Sequence, residues 1–194
     1  SCFEKSQNHS FYSNINKDSY LNIINSYKEN IINKKKKINF NKCNNYLENP
    51  NIVFLIGFPR SGTTLLDTIL RSHNSIEVIE EKPLISNIET LIQETLHTSI
   101  DNLYSISEKN VIILRKKYFE LMREYTTKKG NIIIDKLPLN TVKIPLINLL
   151  FPNSKIIFTH RHPYDTVLSC FQQAFKPNIA MTNLVSLKSS SKMY

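Results

Sequence analysis

Asn51-Ile52-Val53-Phe54-Leu55-Ile56-Gly57-Phe58-Pro59-Arg60-Ser61-Gly62-Thr63-Thr64 is an apolar run that ends at a glycine and gives way to a hydroxyl-rich turn. Its first half is apolar at successive positions rather than alternate ones, which predicts a strand buried on both faces. The Ser61-Gly62-Thr63-Thr64 end opens a helix through about Arg71, with Leu65, Leu66, Ile69 and Leu70 expected to face inward. Working outward, residues 76–79 predict a short second strand. Pro83 suits the start of the next helix, where its missing N–H costs nothing, and Leu84, Ile88, Leu91, Ile92 and Leu96 keep the helical period. A long helix is predicted over 107–127, closed by Lys128-Lys129-Gly130. Ile132-Ile133-Ile134 and Lys155-Ile156-Ile157-Phe158 predict two more strands. A helix over 141–150 separates them despite Pro145, and another runs from Pro163 to about Phe175. Strands alternating with helices predict an α/β fold, a parallel sheet flanked by helices and joined by right-handed crossovers.

Upstream the composition changes. Residues 1–50 are polar and rich in Asn and Lys, and Leu21, Ile24, Tyr27 and Ile31 predict one amphipathic helix over 19–33. Asn49-Pro50-Asn51 marks the boundary, giving a short helical N-terminal segment over 1–48 and the main domain over 49–194. An opening of Ser1-Cys2-Phe3 without Met, and an end at Lys192-Met193-Tyr194 without a cap, predict a fragment truncated at its C-terminus.

Composition excludes several classes. The 194 residues include only 3 Gly and 8 Pro, unlike collagen or a linker. The longest apolar runs, 52–58 and 144–151, fall far short of the roughly 18–20 residues of a membrane helix, so no span is expected in this stretch. Three cysteines, Cys2, Cys43 and Cys170, are an odd number without metal-like spacing. They argue against a disulfide scaffold or a zinc ribbon, and predict a reducing, cytoplasmic setting. A net charge of +9, from 25 Lys and Arg against 16 Asp and Glu, favours an anionic partner. The Lys34-Lys35-Lys36-Lys37 run supplies part of it and reads as a solvated face; no aromatic residues interleave it, so nucleic acid is not expected.

Gly57 and Gly62 have the G-x-x-x-x-G spacing of a phosphate-binding loop, followed by two hydroxyl residues. Backbone N–H groups and the positive end of a helix would converge there on an anion. Thr63 stands where a nucleoside-triphosphate loop has its Lys, and the cation Arg60 precedes the second glycine instead. A loop of this kind suits a shorter anion without a triphosphate tail or a required Mg²⁺. A second candidate follows the last strand: Arg161 at the strand end and Ser169 eight positions on, in the second turn of a helix. A guanidinium fork and an adjustable hydroxyl can meet around one phosphate, although Arg161 could also pair with Asp165.

These stretches resemble the sulfotransferases that use 3′-phosphoadenosine-5′-phosphosulfate (PAPS). Pro59-Arg60-Ser61-Gly62-Thr63-Thr64-Leu65 is similar to the 5′-phosphosulfate loop of tyrosylprotein sulfotransferases and of bacterial sulfotransferases carrying tetratricopeptide repeats. Arg161 and Ser169 resemble the family's 3′-phosphate motif, and Asp135-Lys136-Leu137-Pro138 its Asn/Asp-Lys stretch. Glu80-Glu81-Lys82-Pro83 falls at the family's glutamate, and counting from Arg60 selects Glu81 as the catalytic position. The resemblance covers residues from about 50 to the end. It implies PAPS as co-substrate, with no metal. Arg60, Ser61, Gly62, Thr63 and Thr64 would hold the 5′-phosphate, Arg161 and Ser169 the 3′-phosphate, and Lys136 and Glu81 would be catalytic. It leaves the acceptor open among protein, glycan and small alcohol or amine, tilting towards protein tyrosine. It further implies that residues 1–48 are what remains behind a helical-repeat region. Two rivals stand beside it: a non-catalytic 3′,5′-phosphonucleotide-binding module, and a P-loop kinase or hydrolase, which lacks its Lys and has no evident Walker-B acid because Asp135 is followed by Lys136, a competitor for Mg²⁺. His73 reads as a helix-end cap, His160 and His162 as flanks of the nucleotide site, and Cys170 as core.

Overall fold

A computed structural model of the chain describes residues 18–33, 51–98, 100–127, 132–176 and 178–194. The Lys34 to Lys37 run, Cys2, Cys43, the Asn49-Pro50 boundary and the Lys128-Lys129-Gly130 closure lie outside the described residues. The elements are α1 (Asp18–Asn33), β1 (Ile52–Gly57), α2 (Thr63–Arg71), β2 (Ile76–Glu80), α3 (Leu84–Leu96), α4 (Glu108–Arg123), β3 (Ile132–Lys136), α5 (Ile144–Leu150), β4 (Lys155–Thr159), α6 (Pro163–Gln172) and α7 (Leu187–Met193). Short 3₁₀ turns occupy Ile100–Ser105, Pro138–Lys143 and Met181–Leu184. The helix expected over 141–150 is therefore split. Its α part begins at Ile144, which puts Pro145 in the first turn, where its missing N–H costs nothing.

The four strands form one parallel sheet in the order β2-β3-β1-β4, as the alternation of elements predicts. β1 is central and its Phe54, Leu55 and Ile56 are fully buried, which explains why that stretch is apolar at every position. From β1 the chain crosses to β2 and returns through β3, then places β4 on the other side of β1. The carboxyl ends of β1 and β4 thus flank the switch in direction at which open α/β sheets bind ligands. Phe54, Tyr118, Phe119 and Phe151 build an aromatic core with ring centroids 4.8–6.3 Å apart. α1 joins the same structure, burying Tyr20 and Tyr27.

α2 departs from expectation. Leu65 and Ile69 are 68% and 58% exposed, while Thr63 and Asp67 are buried. Positions 63, 67 and 71 recur at four-residue spacing on one helical face, and 65 and 69 lie about 200° further round. The polar face is turned inward because Asp67 meets two cations there.

β3 ends in Asp135 and Lys136, both fully buried, and successive strand residues point to opposite faces. Asp135 has Phe54 and Ile79 beside it in the neighbouring strands and accepts a 2.7 Å hydrogen bond from the Tyr118 hydroxyl. Burial pushes its carboxyl up to about 7, against the opposing pull of the Tyr118 bond. Because the folded value lies above the unfolded one, this group favours folding fully at acid pH. That contribution fades as pH rises from about 4 through about 7. Asp135→Asn is expected to melt near the parent at pH 4.5 and above it at pH 8; thermal melts across that range check the difference.

Candidate active site

Two groups of polar side chains gather at the carboxyl edge of the sheet. The first surrounds the loop after β1. Ser61 Oγ lies 2.7 Å from Thr159 Oγ1 at the end of β4, and Thr141 Oγ1 donates to the Gly57 carbonyl at 3.0 Å. A Cβ on Gly57 would overlap Thr159 Oγ1 and lie 2.8 Å from the Thr159 carbonyl oxygen, so only glycine permits this approach. Gly62 has φ 102°, the left-handed conformation that glycine adopts without a Cβ penalty. Gly62 at the N-cap has no side chain to cap α2, so the N–H groups of its first turn face the loop as an anion site needs. Arg60, with φ 68°, adopts the same left-handed region at a cost of order 1–3 kcal/mol. That turn carries its guanidinium to α6, where Nε donates to Ser169 Oγ at 3.1 Å.

Ser169 is therefore tied to Arg60, and Arg161 lies 3.8 Å from Asp165, one turn along α6. Thr63 is buried and Thr64 exposed. Beside this group is a cavity of about 360 Å³, lined by Gly57, Phe58, Ser61, Thr159, Arg161 and Tyr20 of α1. The Tyr194 hydroxyl reaches His160 Nε2 and the Arg161 carbonyl, each at 3.2 Å, and its ring packs edge-on to Phe58. His73 Nδ1 accepts from the Ser75 N–H just beyond α2, and His162 immediately precedes α6. Cys170 is fully buried, its thiol donating to the Pro59 carbonyl and pushed up to about 12 by burial.

The second group centres on Lys136. Its Nζ donates to Glu80 Oε1 at 3.1 Å and to Glu81 Oε1 at 3.0 Å, and lies 3.8 Å from Asp67 Oδ2. Register explains the first contact, since Glu80 stands directly beside Lys136 across the β2–β3 pair. Strand alternation would send Glu81 to the opposite side, as neighbouring carboxylates on a strand are expected to point apart. Instead Glu81 has φ 52°, and this turn returns its side chain to Lys136 while its N–H donates to the Lys136 carbonyl at 2.8 Å. Arg71 completes the cluster, binding Asp67 and reaching Glu80 Oε2 at 3.2 Å. The Lys136 hydrogen bond holds the Glu80 carboxyl below its ordinary value; partial burial opposes this, and the charges of Lys136 and Arg71 add to it.

Asp67 and Arg71 escape a reading of the sequence as motifs. Their four-residue spacing was the available signal, but the neighbouring leucines and isoleucine claimed the inward face. Among the described residues, no three His, Cys, Asp or Glu side chains are grouped to hold a metal ion, and no helix is long and apolar enough to cross a membrane.

Residues 50–191 match the model of the sulfotransferase family, which is most of the chain. The chain belongs to that family. Protein-tyrosine sulfotransferase 1 of Rattus norvegicus is 30% identical over 129 residues, 64% of this chain and 35% of that protein. An uncharacterized protein of Aquifex aeolicus (strain VF5) is 32% identical over 130 residues, 63% of this chain and 17% of that protein. This sulfotransferase-family chain thus spans about a third of one relative and about a sixth of the other.

Proposed function

We propose that the chain carries the core of a PAPS-dependent sulfotransferase, moving a sulfuryl group to an acceptor hydroxyl or amine. Protein tyrosine is the favoured acceptor, because one relative is a protein-tyrosine sulfotransferase. The observation that carries the reading is a buried Lys136 under two carboxylates, at the same sheet edge as a phosphate loop that lacks its own Lys. A nucleotide hydrolase is disfavoured by Asp135, whose side chain is sealed against Tyr118 instead of facing the loop as a Mg²⁺ ligand would.

In this reading the backbone and hydroxyls of Arg60 to Thr64 hold the 5′-phosphate of the donor. The acceptor oxygen attacks sulfur in line with the departing phosphate oxygen, so the protein positions groups and stabilises charge. Lys136 balances charge on the sulfuryl oxygens and the leaving oxygen. To do so it exchanges its Glu81 contact for the donor, and Glu81, half-exposed, turns to take the acceptor's proton. Arg161 and Ser169 hold the 3′-phosphate. Incubating the full-length protein with labelled PAPS and a panel of tyrosine peptides, glycans, alcohols and amines tests the assignment. Label transferred to none of them, with PAPS bound, would favour a non-catalytic binding module.

The 3′-phosphate assignment has its own expected result. Arg161 is half-exposed and, among the described residues, forms one loose ion pair, so its removal costs the fold little. Arg161→Ala is expected to weaken adenosine 3′,5′-bisphosphate by about 1.5–3 kcal/mol while leaving adenosine 5′-monophosphate nearly unchanged. Ser169→Ala acts in the same direction with a smaller effect, since it removes one neutral hydroxyl. Calorimetry with both nucleotides checks this, and equal weakening of the two by Arg161→Ala contradicts it.

A further inference from the structure

The two glutamates on Lys136 are chemically unequal, and α2 makes them so. Arg71 donates through Nε and Nη2 to Asp67 Oδ1 at 3.0 and 2.7 Å, and through Nη2 to Oδ2 at 2.8 Å. The same Nη2 reaches Glu80 Oε2 at 3.2 Å, while Glu80 Oε1 binds Lys136. Glu80 therefore lies between two cations, with one oxygen on each. Glu81 meets Lys136 through Oε1. Asp67 is fully buried, so the end of α2 that bears Arg71 is anchored from within.

We propose that Arg71, held by Asp67, is a positioning residue that fixes Glu80 as an anionic brace on Lys136 and so leaves Glu81 as the proton acceptor. This rests on the sulfotransferase reading above. In the step concerned, the acceptor O–H proton passes to a Glu81 carboxylate oxygen as the acceptor oxygen bonds to sulfur. The bond from sulfur to the 5′-phosphate oxygen breaks, and its electron pair leaves with adenosine 3′,5′-bisphosphate. Without Arg71, Glu80 would compete with Glu81 for both the proton and Lys136. Among the described residues, the charged groups facing the pair are Asp67 and Arg71 from α2 and Lys136 from β3. Lys82 is turned away over the Tyr125 ring, 5.1 Å from its centroid, and Glu77 is engaged by Thr127. Arg71 also contributes to holding the Glu80 carboxyl low, after the larger effect of the Lys136 hydrogen bond.

The test uses Arg71→Met and Arg71→Lys in the full-length protein. Carboxyl-carbon NMR titration, which needs no acceptor, should show Glu80 moving to higher pH in Arg71→Met and staying near the parent in Arg71→Lys. An unchanged Glu80 titration in Arg71→Met overturns the proposal. With PAPS and a single-tyrosine peptide, Arg71→Met should lower kcat about 10–100-fold, with the KM for PAPS little changed. Adding Arg71→Met to Glu80→Gln should cost nothing further, whereas independent structural damage would add. If Arg71→Met does not fold, Asp67→Asn with Arg71→Lys reads the same titration. Glu81→Gln with full turnover would sink the sulfotransferase assignment of the base. A dead Glu81→Gln beside a normal Arg71→Met would sink the positioning role alone.

Discussion

Glu81→Gln is expected to bind PAPS as the parent does and to turn over about 10²–10⁴-fold more slowly. Gln keeps the shape of Glu81 and a carbonyl oxygen for Lys136, and removes the negative charge and with it the capacity to accept a proton. Glu81 is about half-exposed, so the substitution leaves no buried polar group unpaired and the fold should be unaffected. Glu80→Gln differs because its partners are two cations rather than one. It should lower turnover by less, through a looser Lys136. Single-turnover rates beside nucleotide affinity, measured for both variants, separate chemistry from binding. If Glu80→Gln is the dead variant and Glu81→Gln the active one, the register counted from Arg60 is wrong by one residue.

Lys136→Met should lower kcat by about 10²–10³, the scale for removing one preorganised donor from a transition state that develops negative charge. The stability cost should be modest despite complete burial of the ammonium, and the partners decide this. Glu80 and Glu81 are 46% and 55% exposed and rehydrate once the lysine is gone, while buried Asp67 keeps its bidentate Arg71. Breaking a fully buried pair costs about 3–5 kcal/mol, but here no buried charge is stranded. Denaturant melts alongside kinetics check both halves. A variant that unfolds while Glu81→Gln is stable would show Lys136 to be chiefly structural.

The sheet was legible because β1 is apolar at every position, a pattern that only a strand covered on both faces needs. The loop after β1 was legible in its glycines, Gly57 required by close approach and Gly62 by a left-handed turn. Elsewhere periodicity misled. Leu65 and Ile69 carry the outer face of α2, while Thr63 and Asp67 take the inner one, where Asp67 meets Lys136 and Arg71. At Glu81 the turn intervenes in the alternation: its positive φ returns the side chain to Lys136, and no local residue type announces that turn. Ser169, which the eight-residue spacing sets with Arg161 around one phosphate, also accepts from Arg60, a residue 109 positions away that only the fold brings near. α7 and the Met181–Leu184 turn were not read at all. Their Ser- and Asn-rich sequences carry little hydrophobic period, and α7 gains its place by burying Met193 and Ser190.

The most direct measurement of the central claim is calorimetry of the full-length protein with two nucleotides. A loop with Arg60 and Thr63, paired with Arg161 at the neighbouring strand end, should bind adenosine 3′,5′-bisphosphate tightly with or without Mg²⁺, and ATP weakly in either case. Tight Mg²⁺-dependent binding of ATP, with none of the bisphosphate, would contradict it.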